Sequence, residues 1–180
     1  MDIIAPPPYR APDYVIRFAS EAWEHAGAAK LRRLVFCDEQ EVFSGSDRDA
    51  IDAVAIPLVA ISTIAGELDQ VVGTVRIHEP EPGLWWGSRL AVAASHRRVG
   101  TLGPALIRLA VTSAHAMGCR RFLAHVQSQN ELLFRRMHWQ RIGEVELHDL
   151  PHALMQADLA HYPPFADGLT GFRAQTRRAA

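Results

Sequence analysis

The sequence predicts an α/β fold in which helices cover both faces of a mixed β-sheet. Three observations carry this. Apolar and polar residues alternate through a three-strand meander in the middle of the chain, between residues 53 and 92. A strand, a basic glycine-containing turn and a helix follow over Ser88–Gly118, and after them come a strand, a short helix and a hairpin. The N-terminal half lacks the successive βαβ units that a dinucleotide-binding sheet requires.

Taken in order, residues 1–13 are proline-rich and predict an extended segment. Tyr14 to Phe18 alternate and predict a strand. Ser20 is placed to cap the helix that follows, with Glu21 and Glu24 in its first turn, and Gly27 weakens or interrupts that helix. Ser44 to Asp49, without core-forming residues, predicts a surface loop. Ala53 to Thr63, Gln70 to His78 and Leu84 to Val92 predict the meander, with turns at Gly66–Asp69 and Glu79–Gly83. Trp85 and Trp86 must point to opposite faces, one to the core and the other to a pocket or interface. Pro104 suits the first position of a helix and Gly118 a left-handed stop. Arg121 to Gln127 predicts a strand, Asn130 to Met137 a short helix, Ile142 to Leu147 a strand, and Ala153 to Leu159 the last strand after a turn at Asp149–His152. Periodicity ends at Pro163, so 14–162 reads as one domain and 163–180 as a mobile basic tail containing Arg173, Arg177 and Arg178.

The 180 residues suffice for a single hydrophobic core, and 48% apolar composition argues against disorder. A formal net charge of −1 argues against binding nucleic acid through bulk electrostatics. Cys37 and Cys119 form no disulfide framework and read as reduced thiols. With no signal peptide pattern and no apolar run long enough to span a bilayer, the expected location is cytoplasmic, away from membranes. His148, His152 and His161 lack the spacing and accompanying cysteines of a metal site, so no metal is expected.

The turn after the third meander strand carries the chemistry. His96, Arg97, Arg98, Gly100 and Gly103 precede and open a helix, whose first N–H groups and dipole favour a phosphate or pyrophosphate. Glycines needed only for the turn, with solvated arginines beside them, would produce the same pattern.

The order of elements resembles the GNAT (GCN5-related) N-acetyltransferase superfamily from about Tyr14 to Leu159. The likeness extends to residues. Leu31 to Gln40, L-R-R-L-V-F-C-D-E-Q, resembles the L-R-x-x-V-F-x-x-E-Q signature of one branch. His125 to Gln127 with Phe134 to Trp139, and Leu150 to Met155, resemble that branch's H-A-Q, F-Y-x-x-x-G-F and I-P-H-x-x-M segments. Within the superfamily, the stretch from Ala105 to Asn130 is similar to the nitrogen-starvation N-acetyltransferases. Two departures stand out. The phosphate turn Q/R-x-x-G-x-G/A fits from Arg98 with Thr101 in the first glycine's place, or from Arg97 with Leu102 in the second's. Phe134 occupies the place of the tyrosine that often protonates the departing thiolate, and a phenyl ring has no proton to give.

The resemblance implies acetyl transfer from acetyl-CoA to the amine of a small molecule. Pantetheine would pair with Leu90, Ala91 and Val92. The pyrophosphate would lie on the segment Arg97, Arg98, Val99, Gly100, Thr101, Leu102, Gly103 and Pro104, with Asn130 and Phe134 also against CoA. His125, Glu41 and Glu39 are the candidates to take the amine's proton. Gln40, Gln127, His152 and Trp86 are the candidates to contact the acceptor. Relatives commonly pair as homodimers. A CoA-binding sensor or partner subunit without turnover is the alternative from another class, and a plain nucleotide binder is a third.

Overall fold

A computed structural model of the chain describes residues 13–176. The predicted N-terminal extended segment up to residue 12, and Arg177 and Arg178, lie outside the described residues.

The chain runs β1 (Asp13–Phe18), α1 (Ala22–Arg33), β2 (Ile56–Ile64), β3 (Glu67–Glu81), β4 (Leu84–Val92), α2 (Leu102–Ala116), β5 (Arg121–Gln127), α3 (Glu131–Arg136), β6 (Trp139–Leu147), β7 (Leu150–Ala157) and β8 (Phe172–Gln175). One eight-stranded sheet has the order β6-β7-β5-β4-β3-β2-β1-β8. Its β4–β5 pair is parallel, and the other neighbours are antiparallel. The mixed sheet with helices on both faces is the architecture the sequence predicts.

Hydrophobic patterning explains the layers. Leu102, Leu106, Leu109, Val111 and Ala114 of α2 are buried against Tyr14, Ile16, Leu58, Ile77, Trp85 and Phe122. Truncating either fully buried Leu106 or Leu109 to alanine costs about 2–5 kcal/mol. On the opposite face, Ala28 of α1 packs with Val15, Val59 and Ile61. Gly27 does not break α1. A Cβ there would come within 2.7 Å of Val71, so the glycine permits close approach of helix to sheet. Ser20 is not the cap either: Glu21 occupies that position, and the Glu24 carboxylate accepts from the N–H groups of Ser20 and Glu21 and from Arg17.

Several boundaries move for tertiary reasons. Residues beyond Pro163 do not all trail away, because Phe172–Gln175 pairs with β1 as an edge strand and Arg173 contacts Asp13. β7 begins at Leu150 because His148 and Asp149, both left-handed, complete the hairpin turn. Pro104 is the third rather than the first residue of α2; that position also lies among the helical N–H groups with no intrahelical acceptor, so proline costs nothing there. Gly118, at φ 90°, ends α2 as the sequence predicts.

Two irregularities create the space for a site. Beyond α1 the backbone continues as a π-helical segment, Leu34–Glu39, in which the Gln40 N–H donates to the Val35 carbonyl. The β4–β5 ladder covers Leu84↔Arg121 to Gly87↔Ala124, after which the strands part. From there β4 remains with β3, while His125 to Gln127 pair with β7. At the parting point Arg89 and Leu90 together face Val75, a bulge that puts Arg89 in the left-handed region at φ 57°.

Candidate active site

The parting strands open a cleft of about 500 Å³ that reaches both faces of the sheet. Its α2-side wall is apolar, including Ile107, Val111, Phe122, Ala124 and Phe134. Its α1-side wall carries the polar and aromatic groups, including Gln40, His78, Trp86, His125 and His152. Trp85 is buried in the core and Trp86 lines the cleft, as their opposite facing requires.

Strand alternation places Trp86, Leu123 and His125 on one face, and the β5–β7 register puts His152 opposite Gln127 on that face. The Trp86 and His125 rings lie 4.8 Å apart at 42°. His125 is reachable by water from the cleft, yet the surrounding protein withholds enough solvent to lower its pKa, and the nearby His152 ring adds to the shift. The ring is therefore neutral near pH 7 and able to accept a proton. His152 is buried, and its Nδ1 donates to the Leu150 carbonyl at 2.9 Å. His78 also has a lowered pKa, through burial first and Arg76 second, and its Nδ1 is buried without a partner.

Beneath these rings lies an ion-pair network drawn from four separated segments. Arg76, 2% exposed, holds both Asp49 carboxylate oxygens at 2.7 and 2.8 Å and also reaches Asp52 at 2.8 Å. Arg89, on the bulge, contacts Asp47 at 3.0 Å and Asp49 at 3.2 Å, with its guanidinium 4.4 Å from the Phe43 ring centroid. Arg32 of α1 joins Asp47 at 2.7 Å to Asp52 at 2.6 Å. Three arginines thus balance three aspartates. The Arg76 hydrogen bonds hold the Asp49 carboxyl below its ordinary range. Burial alone would raise Asp52, but hydrogen bonds from Arg32, the Asp49 N–H and Arg76 bring it well below that range. Residues 44–49, read from sequence as a plain surface loop, are therefore anchored through buried Asp47 and through Asp49. The available signal was Asp47, Asp49 and Asp52 crowded together while Arg76 interrupted an apolar strand.

The phosphate candidates gather at the start of α2. Arg98 is exposed, Gly100 is left-handed at φ 74°, and the buried Thr101 hydroxyl at the N-cap has no partner. A Cβ on Gly103 would meet nothing nearer than Leu133 at 3.9 Å. An open helix N-terminus with an unpartnered hydroxyl fits a diphosphate. Arg97 donates to the Val92 carbonyl at 3.0 Å and to Glu39 at 2.5 Å. Leu90 and Asn130 line the cleft; Ala91 is buried beside it on β4.

Gln127 donates to Gln40 at 3.0 Å, joining β5 to the end of the π-helical segment. Glu39 and Glu41 are not among the residues lining the cleft: Glu39 faces Arg97, and Glu41 is exposed at φ 53°. His148 packs on Phe43 at 4.5 Å and lines the cleft, whereas His161 stacks on His138 and neither of those two lines it. No described helix is long and apolar enough to cross a membrane.

Comparison with known proteins agrees with this geometry. No curated protein matches the sequence. Solved structures similar in fold include Escherichia coli ElaA, with TM-score 0.66 and 18% identity over 81% of this chain and 98% of that one. An acyl-CoA N-acyltransferase from Pseudomonas aeruginosa gives TM-score 0.63 and 18% identity over 81% and 99%. An aminoglycoside 6′-N-acetyltransferase complexed with coenzyme A gives TM-score 0.63 and 12% identity over 79% and 95%. The model of the acetyltransferase (GNAT) family matches residues 19–138, which hold α1, the meander, the opened strand pair and the glycine-containing turn before α2. By that match over most of its length, the chain belongs to the acetyltransferase (GNAT) family.

Proposed function

We propose that this protein is an acyltransferase that moves an acetyl group from acetyl-CoA to the amine of a small molecule, as an enzyme of the nitrogen-starvation N-acetyltransferase type. The observation that carries the reading is the cleft through the opened β4–β5 pair, with an anion-favouring helix start following one strand and the His125 imidazole, its pKa lowered, on the other. The aminoglycoside acetyltransferase of similar fold binds coenzyme A, which supports the same donor here.

Bound acyl-CoA supplies the thioester: a nitrogen–carbon bond forms as the carbon–sulfur bond breaks, and CoA departs with its thiol. The chain's residues do the rest. The α2 N-terminus, with Arg98, Gly100, Thr101 and Gly103, holds the diphosphate. The edge of β4 released from β5 at Leu90–Val92 offers main-chain groups to the pantetheine arm, and an N–H near Val92 polarises the carbonyl. His125 removes the proton from the attacking ammonium, with His152 Nε2 as the second acceptor in reach of the same face. Gln40, Gln127 and Trp86 orient the acceptor. Holding the two reactants in register contributes about 7–11 kcal/mol to lowering the barrier. With Phe134 in the apolar wall, the departing sulfur takes its proton from water or an imidazole. Both cysteines are free, which suits the reducing cytoplasm.

Thiol release from acetyl-CoA across an amine panel tests this directly. Amine-dependent release is expected. CoA binding without release at any pH would establish the sensor alternative instead.

A further inference from the structure

We infer that the acceptor is an aromatic amine whose only ionisable group is the amine itself, seated against Trp86 and His125, rather than an amino acid or a polycation. This rests on the transferase reading for the location of the acceptor, but its chemistry comes from the cleft walls.

The charge arrangement excludes the competitors. Asp49, Arg76 and Arg89 are the formally charged residues lining the cleft among those described. All three are already engaged: Asp49 by both guanidiniums, Arg76 also by Asp52, and Arg89 also by Asp47. With Arg32 closing the set, the network sums to zero charge. An acceptor carboxylate would have to compete with the aspartates already paired to Arg76 or Arg89 and would add a fourth negative charge to a set that three arginines only just balance. A polyamine or aminoglycoside would need anionic groups for its further ammoniums, and the only lining carboxylate is occupied twice over. Neither class finds a counter-charge in the cleft lining that the floor has not already matched.

The remaining walls favour a ring. Trp86 and His125 lie close together at 4.8 Å, and Phe43 and His148 make a second ring pair at 4.5 Å. Burial keeps His125 and His78 neutral near pH 7, so these rings add no positive charge. A flat π-system satisfies offset or edge-on packing against such surfaces. The unpartnered Nδ1 of His78 leaves one hydrogen bond for a heteroatom such as an indole N–H.

The test uses twins differing by one carboxylate. Calorimetric titration of tryptamine and L-tryptophan into the CoA-saturated protein is expected to show tryptamine binding tighter by about tenfold or more, and spermidine binding no better than L-tryptophan. Trp86→Leu should weaken tryptamine by about tenfold with the melting temperature retained. Asp49→Asn, which leaves both guanidiniums underpaired, should narrow the tryptamine-to-tryptophan ratio. Equal or stronger binding of L-tryptophan or spermidine, or no saturable binding of tryptamine, overturns the inference. Tryptamine binding without thiol release from acetyl-CoA keeps the inference and removes the transferase reading, so the two fail separately.

Discussion

The two sides of the cleft are built by different means. Under the proposed reading, the donor side is a contiguous piece of chain, β4 turning through Arg97–Gly103 into α2, resting on an apolar wall. The acceptor side assembles Arg32, Asp47, Asp49, Asp52, Arg76 and Arg89 from a helix, a loop and two strands, and sets its rings above them. A contiguous anion site depends on local backbone geometry and tolerates substitution around it. A neutral ion-pair floor stands as a unit, because its buried members, Arg76 and Asp47, lack enough water to survive alone.

That contrast can be broken most forcefully at Arg76. Arg76→Ala leaves Asp49 and Asp52 without their buried partner and is expected to cost about 3–5 kcal/mol, read by urea denaturation. A loss no larger than that of an exposed arginine would show that the network is not a unit. The same carboxylates give the floor an acid limit. Their folded pKa values lie below the unfolded ones, so their stabilisation is complete above about pH 4 and is lost as pH falls further through the folded values.

Next in size, His125→Ala should lower kcat by about 10²-fold while CoA affinity holds, which separates the chemistry of one side from the binding of the other. In the wild type, kcat/KM should fall on the acid side with a midpoint below the ordinary histidine value of about 6.5, because burial depresses the His125 pKa. An unchanged rate in the variant would remove His125 from the mechanism.

On the donor side, Gly103→Glu should weaken CoA binding by about tenfold with the fold intact, since the added Cβ meets nothing closer than 3.9 Å while the carboxylate repels phosphate. Equal affinity in the folded variant would move the diphosphate elsewhere. The smallest effect is expected at Glu39, whose carboxylate competes for Arg97. Glu39→Gln should tighten CoA by no more than about fivefold, as befits a partly exposed pair, and weaker CoA binding would contradict a phosphate role for Arg97.

Much of the donor side was legible in the residues themselves. β4 and β5 occupy the predicted spans, Gly118 stops α2, and Trp85 and Trp86 divide between core and cleft. Each depends on neighbours within a few positions: alternation, a left-handed glycine, a proline among orphan N–H groups. Residues 44–49 are the exposed loop the sequence predicts, but its anchoring was not legible, because its aspartates look solvated until partners 15 to 42 residues away are brought to them. Gly27 looked like a helix breaker because nothing nearby in sequence shows Val71 pressing on it.

The sequence alone therefore determined the order of elements, the family and the helix start suited to phosphate, all consequences of short-range periodicity and backbone stereochemistry. Only the tertiary structure decided that Glu39 faces Arg97, that Phe172–Gln175 extends the sheet, and that three arginines and three aspartates cancel beneath the imidazoles. Pairing of charges across distant segments is set by which faces pack together, and that choice is made by the whole core at once.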